Sequence, residues 1–218
     1  MNTRSRVGPF LAVAAVAVAV LPCAAHADRG AFTLDVGGFL AVSSVSPPLG
    51  LGSAVAGSSG GGVLGVRYAL ANDLEVSAGG FYEAPATYFH PGTTIVSSDG
   101  TFAGTLQSRT SSWGATVGAR WVKGSVWRYF LGGELGFSRR AFTRLDLIDV
   151  SDATNPHSFG LTLADVSTTA LLVAPLAGVE WALSDHISLS IAPRLQLYVG
   201  SQSGLRFLVP VMFSYSWY

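Results

Sequence analysis

The charged side chains that could do chemistry in this sequence are few, and most of them stand among small residues. Lysine, arginine, aspartate and glutamate together make up 12% of the chain, about half their usual share in soluble domains. Opposite charges that share a buried face are stable only when they are paired and hydrogen-bonded. The sequence therefore predicts a structural ion-pair network formed by Arg67, Glu75, Arg120, Arg128, Glu134, Glu180 and Arg194.

The histidines of the sequence add no well-supported catalytic or metal site to this network. His90 and His157 fall in predicted long loops, where a histidine is usually a solvated polar residue. A metal site that combined them with Asp99 or Asp152 has no supporting ligand spacing. The sequence contains no P-loop, no HExxH and no GxSxG motif. We therefore predict no catalytic residue, no cofactor and no bound metal.

One short motif resembles that of an enzyme family. His186-Ile187-Ser188 resembles the His-x-Ser of outer-membrane lipid A deacylases, in which a histidine activates a serine nucleophile. The resemblance would imply a lipid-modifying hydrolase. The motif departs from that family because Leu189 stands where those enzymes have asparagine, and no acidic residue follows Ser188.

The first 27 residues have the pattern of a secretory signal peptide. Arg4 and Arg6 precede an apolar run over 7–21, and Ala25-His26-Ala27 forms a cleavage signal. A transmembrane anchor is the alternative, but the run is shorter than the roughly 20 residues that span a bilayer. We predict cleavage after Ala27.

Residues 28–218 are then predicted to be one domain. The only cysteine, Cys23, lies in the predicted signal, so neither a disulfide nor a thiolate metal site is expected. Acidic residues slightly outnumber basic ones in this part, and no basic patch indicates nucleic-acid binding.

Apolar residues alternate with small or polar ones in eight segments, which is the signature of β-strands. Each segment is close to the 9 to 11 residues that a tilted strand needs to cross a bilayer. The larger side chains of one face are Phe32, Leu34, Val36, Leu40 and Val42; Leu64, Val66, Tyr68 and Leu70; Leu74, Val76, Ala78 and Tyr82; Trp113, Ala115, Val117, Ala119 and Trp121; Trp127, Tyr129, Leu131, Leu135 and Phe137; Leu171, Val173, Pro175, Ala177, Val179 and Trp181; Ile187, Leu189, Ile191, Pro193, Leu195, Leu197 and Val199; and Phe207, Val209, Val211, Phe213, Tyr215 and Trp217.

The connections between these segments alternate in length. Tight turns are predicted at 71–73, 123–125 and 184–186, whereas the intervening connections are long and polar: 43–62, 83–104 and 138–165, followed by a short one at 200–204. Short periplasmic turns and long external loops are typical of outer-membrane barrels. The pattern predicts an all-β protein, a closed up-and-down antiparallel transmembrane β-barrel of eight strands.

The composition of the second face indicates where lipid lies. Its members are mostly glycine, serine and threonine, which suit the crowded lumen of an eight-stranded barrel. A soluble barrel, in which the charges cover a wet surface, is the alternative. Tryptophan supports lipid outside, since Trp121, Trp127, Trp181 and Trp217 would form one periplasmic girdle. Trp113 would lie at the other end of its strand.

At this point the chain resembles the small outer-membrane barrels of the OmpA/OmpX type. The segment "FLGGELGF", the alternating connections and the C-terminal "RFLVPVMFSYSWY" carry the resemblance, although Tyr218 is out of step with the lipid-facing residues. The resemblance implies a monomer in the outer membrane of a Gram-negative bacterium. Its implied partners are outer-membrane lipids, lipopolysaccharide and, during biogenesis, the barrel-assembly machinery.

The predicted function follows from the full lumen. We expect a non-enzymatic barrel with a structural or surface-interaction role, exercised through its long loops with an unidentified partner. A narrow, porin-like channel is the first alternative, and a lipid A-modifying hydrolase is the second.

Overall fold

The computed structural model describes residues 29–150, 157–200 and 204–218, so the predicted signal peptide lies outside the described residues. The described chain is almost wholly extended, with a single 3-10 turn at Pro48–Gly50. Its strands are β1 (Phe32–Val45), β2 (Val55–Ala71), β3 (Leu74–Ser97), β4 (Gly100–Gly124), β5 (Trp127–Asp149), β6 (His157–Leu163), β7 (Val166–Ala182), β8 (Ile187–Ile191), β9 (Arg194–Gly200) and β10 (Gly204–Trp217).

The strands close into an antiparallel ring. Consecutive strands pair from β1 to β5, β5 then pairs with β7, and β7 pairs with both β8 and β9. β8 and β9 in turn pair with β10, and β10 pairs with β1. Because β8 and β9 occupy one place in the ring, the barrel has eight strands, and β6 stands outside it, paired with β5. The predicted all-β barrel of eight strands is confirmed.

The break between β8 and β9 lies at Ala192 and Pro193. Proline has no backbone N–H for the ladder and is therefore poorly suited to a central strand. The wall stays joined there because Ala177 N donates to Pro193 O at 3.3 Å and Ala192 N donates to Pro210 O at 3.2 Å. The alternation of side chains continues across the break, since Ile191 and Leu195 both face outward.

The long connections differ from the sequence prediction. Much of 83–104 and 138–165 is β-strand rather than irregular loop, and the connection between β3 and β4 consists of residues 98–99 alone. Bulges explain the difference: the register shifts between Glu83 and Ala86, and again between His90 and Thr93. Each extra residue reverses the phase of alternation, so the period of 2 is lost in the sequence although the strand continues.

The outer surface of the barrel is apolar. Leu40, Val117 and Leu131 expose 76%, 62% and 69% of their surface, far more than a soluble protein's core residues would. The tryptophans Trp121 and Trp113 are eight positions apart on β4, about 27 Å along the strand and about 21 Å in height at a tilt of about 40°, which is most of the roughly 25 Å apolar band of an outer-membrane barrel. The outer face is therefore built to contact lipid.

Among the described residues, no helix has the length and apolar character needed to cross a membrane.

Candidate functional site

The lower part of the lumen holds a dense cluster of charged side chains. Arg67 on β2 lies at its centre, with Nε 2.6 Å from Asp35 Oδ2 and Nη2 2.8 Å from Asp35 Oδ1. The same guanidinium reaches Glu75 Oε2 at 2.8 Å and Glu180 Oε2 at 3.1 Å. Ser214 completes the site by donating a 2.6 Å hydrogen bond to Asp35. Arg67 therefore ties four strands together across the lumen.

Two further arginines share the carboxylates of Glu75 and Glu180. Arg120 Nη2 lies 2.7 Å from Glu75 Oε2 and 2.9 Å from Glu180 Oε2. Arg128 bridges the same pair, at 2.5 Å from Glu75 and 2.7 Å from Glu180. The ladder registers produce this arrangement, because Glu75 is the partner of Arg120 between β3 and β4, and Arg128 is the partner of Glu180 between β5 and β7. We name Asp35, Arg67, Glu75, Arg120, Arg128 and Glu180 the lower cluster, in which three cations balance three anions.

Above the lower cluster, Glu134 and Arg194 form a separate ion pair. Arg194 Nη1 lies 2.9 Å from Glu134 Oε2, and both side chains point into the lumen. Gly118 gives Glu134 its space, because a Cβ at position 118 would lie 2.7 Å from Glu134 Cγ. A cavity of about 50 Å³ adjoins this pair and the lower cluster, which is room for a few water molecules. Arg194 Nε has no protein partner, so water in this cavity would satisfy it.

A third charged layer, which was not predicted from the sequence, lies higher. Arg206 is fully buried, with Nη2 3.3 Å from Glu83 Oε2 and Nη1 3.2 Å from the Tyr198 hydroxyl. Its guanidinium lies between the rings of Phe39 and Phe81, at 5.0 and 5.5 Å from their centroids. Such cation–π contacts stabilise a desolvated guanidinium. We name the pair of Arg206 and Glu83 the upper pair.

The outer end of the lumen is filled by apolar side chains. We name this group the apolar cap; it consists of Val45, Tyr88, Leu106, Phe142 and Leu145, each at most 4% exposed. These residues stand on the inward face of strands that continue beyond the aromatic belt. The lumen is therefore obstructed by three ionic layers and then by a hydrocarbon plug.

His90 fastens the β1–β2 connection over this cap, contrary to the expectation of a solvated loop histidine. It is fully buried on β3, with Nδ1 3.1 Å from Ser53 O and Nε2 3.2 Å from Ser108 Oγ. Ser53 N also donates to Pro91 O at 3.0 Å. The strand is reversed in phase here by the preceding bulge, which turns His90 inward.

Acidification should loosen this connection. Burial lowers the pKa of His90 below 6.5, so the opened state takes up a proton at a pH where the closed state does not. The closed state is then fully favoured above about pH 6.5 and loses stability as the pH falls below it. We expect hydrogen exchange of the Ser53 amide, corrected for its intrinsic pH dependence, to be several-fold faster at pH 5 than at pH 7.5. His90→Gln, which cannot titrate, should lose this difference; an unchanged pH effect in that variant would contradict the assignment.

The remaining polar candidates do not form a catalytic or metal site among the described residues. His186 Nδ1 lies 2.9 Å from Ser216 O, whereas Ser188 faces the lumen, and no hydrogen bond joins the two. His157 lies 3.7 Å from Asp149. His90 is on β3, where its ring nitrogens contact Ser53 and Ser108 instead. No group of three or more potential metal ligands occurs in the described part of the chain, and Asp152 lies outside it.

The periplasmic end carries the aromatic residues expected of a membrane interface. Trp127 and Trp181 stack at 5.4 Å with their rings 7° apart, and Trp217 contacts Phe32 at 5.7 Å. Trp121 is exposed as well, but its ladder partner is Leu131, four residues along β5 from Trp127, so it lies above the level of the other three tryptophans. Tyr218, out of step in the sequence, donates its hydroxyl to Asp185 O at 2.7 Å and so fastens the chain end to a turn.

Comparison with known proteins identifies the fold. No protein-family model and no curated protein sequence matches the chain. Neisserial surface protein A (NspA) superposes with a TM-score of 0.55 at 14% identity, over 86% of this chain and 99% of that one. Ail of Yersinia pestis, solved with the heparin analogue sucrose octasulfate, gives 0.52 at 10% identity over 87% and 99%. OprG of Pseudomonas aeruginosa gives 0.51 at 16% identity over 89% and 98%.

These neighbours show the fold alone, and the apolar outer belt adds the physical reason for a membrane location. The predicted resemblance is thereby confirmed: the chain has the fold of the small eight-stranded outer-membrane β-barrels of the OmpA/OmpX type, and that fold, with its lipid-facing belt, places it in the bacterial outer membrane.

Proposed function

We propose that the chain is a non-conducting, non-catalytic barrel whose membrane part serves as an anchor and whose outer sheet serves as a contact surface. The observation that carries this proposal is the obstruction of the lumen at successive heights, by the lower cluster, the upper pair and the apolar cap. A pore needs a continuous wet path, whereas the internal cavity has a volume of only about 50 Å³.

The outer sheet supports the second half of the proposal. β3, β4 and β5 continue well beyond Trp113 and Phe137, and β6 adds a further strand whose described pairing is to β5 alone. The sheet exposes isolated apolar side chains such as Phe89 and Val96, which are 51% and 78% exposed. Ordered, exposed strands above a membrane suit contact with another molecule. NspA, a surface protein, and Ail, an attachment invasion locus protein seen with a heparin analogue, have the same fold.

Electrical recording separates this proposal from the channel alternative. The purified barrel, inserted in a planar bilayer, should give no steady conductance, because ions would have to displace the buried ion pairs and cross the apolar cap. The matched variant is Glu134→Ala, which enlarges the lumen at the internal cavity without touching the cap. It should also be silent. A steady conductance in the native chain that changes with Glu134→Ala would contradict the proposal and establish the narrow channel.

A further inference from the structure

Three arginines that the lumen does not use lie on the outer face of β4 and β5. We propose that this group, the outer arginine patch of Arg109, Arg139 and Arg144, binds the phosphate groups of lipid headgroups in the outer leaflet. The inference rests on the outer-membrane placement of the barrel and goes beyond the anchoring role proposed above.

The height of Arg139, the member of the patch nearest the apolar belt, matches that of a phosphate layer. On β5 the outward positions from Trp127 to Phe137 carry no charge, and Arg139 is the next outward residue. Trp127 and Arg139 are twelve positions apart, about 40 Å along the strand. At a tilt of about 40° the rise is about 30 Å, the thickness of a bilayer's hydrocarbon core. Arg139 therefore lies where the lipid headgroups begin.

The neighbouring strand repeats the pattern. Arg139 is the ladder partner of Trp113, whose ring contacts Phe137 edge-on at 5.6 Å. Four positions before Trp113 on the same outward face is Arg109, opposite Thr143. Aromatic rings followed outward by arginines complement an amphiphilic lipid, because the rings would contact its acyl chains and the arginines would contact its phosphates.

Arg144 joins the patch through a bulge. Two residues of β5, Arg144 and Leu145, oppose Ser108 alone on β4, and Leu145 is fully buried whereas Arg144 is exposed. The bulge holds Arg144 at a φ of 52°, a conformation that costs a non-glycine residue on the order of 1 kcal/mol. Without the extra residue, the alternation would turn the side chain at this position inward.

The charges of the patch are available to a ligand. Within the part of the chain that the structure describes, no carboxylate lies within ion-pair distance of Arg109, Arg139 or Arg144. Arg139 donates to Ser167 Oγ at 3.0 Å, which positions the guanidinium and leaves the serine hydroxyl free to donate. The nearest outward acid along β5, Asp146, accepts a 2.7 Å hydrogen bond from Ser158. Guanidinium groups bind phosphate oxygens through paired, charge-assisted hydrogen bonds.

Binding of lipid A to the purified barrel in nonionic maltoside micelles tests this site. Intact-complex mass spectrometry would compare the native chain with Arg109→Gln/Arg139→Gln/Arg144→Gln, and quenching or shift of Trp113 fluorescence would report occupancy beside Arg139. The control is Lys123→Gln, which removes an exposed cation at the opposite end of β4. Heat-modifiable migration on SDS gels establishes that each variant is folded before it is assayed.

We expect the triple variant to bind bisphosphorylated lipid A at least about tenfold more weakly, since three charge-assisted contacts are lost. Lys123→Gln should bind like the native chain, and dephosphorylated lipid A should bind the native chain as weakly as lipid A binds the triple variant. The proposal is overturned if the triple variant keeps full affinity, if phosphate removal from the lipid has no effect, or if inorganic phosphate or heparin alone binds the patch as tightly as lipid A. None of these results depends on whether the lumen conducts.

Discussion

Replacing Glu180 by glutamine should destabilise the barrel by about 3 to 5 kcal/mol, the usual cost of removing one partner of a buried ion pair. Glu180 is 2% exposed and contacts the guanidinium groups of Arg67, Arg120 and Arg128. Glutamine keeps the shape but leaves the lower cluster with an uncompensated positive charge. Urea unfolding in detergent micelles, followed by tryptophan fluorescence, would measure the loss in free energy of unfolding.

Two comparison variants make this result specific. Glu134→Gln should cost less, because Glu134 has one arginine partner and lies beside the cavity, where water can solvate Arg194. Glu180→Gln/Arg128→Gln restores neutrality and should recover about 0.5 to 3 kcal/mol relative to the sum of the single changes. Strictly additive effects would contradict the balanced cluster, as would a Glu180→Gln variant as stable as the native chain.

The second large effect is expected on the lipid-facing surface. Leu131→Arg should cost about 2 to 4 kcal/mol, as arginine does at the midplane of other outer-membrane barrels. Leu131 is 69% exposed and stands midway between Trp127 and Phe137 on β5. Folding into phospholipid vesicles, measured over a series of urea concentrations, gives the difference in free energy.

Thr94→Arg is the matched control for this change. Thr94 is an exposed residue of β3 in the outer sheet, where water surrounds the side chain, and the substitution should cost less than about 0.5 kcal/mol. If both variants are equally stable, the outer face around Leu131 is wet and the lipid-facing assignment fails.

The sequence predicted the membrane part well because its alternation is uninterrupted and its turns are tight. A tight turn fixes which residues face each other across two strands. Arg67 with Glu75, and Arg120 with Arg128, could therefore be grouped by counting outward from the turns at 71–73 and 123–125. The observed registers keep each pair together, although the direct ladder partners are Ala69 for Glu75 and Gly124 for Arg128.

Asp35 occupies an inward position in the alternation of its strand, but the turns do not predict at what height in the barrel it lies. It lies on β1, which is separated from β2 by a long connection and pairs with β10 from the far end of the chain. Only the closure of the ring fixes the height of β1, and alternation within one segment contains no information on closure. The signal that was available is its inward position between Thr33 and Gly37.

The upper pair and the outer sheet were missed for a different reason. The sequence pattern places Glu83 in a loop, because the bulge that follows it breaks the alternation. Arg206 precedes Phe207 and therefore has the inward phase of β10, but it stands close to a predicted turn. In both cases one extra residue, or a boundary misplaced by a few residues, hid a buried charge.

The assignment of lipid to the outside of the barrel is tested most directly with nitroxide labels in vesicles. The predicted mature chain has no cysteine, so single labels can be placed at Leu131→Cys and Val211→Cys on the outer face and at Thr94→Cys in the outer sheet. With lipid around the barrel, relaxation of the first two labels should respond strongly to oxygen and weakly to a water-soluble nickel chelate, with the reverse order at position 94. Greater access of the nickel chelate than of oxygen at positions 131 and 211 would contradict that assignment.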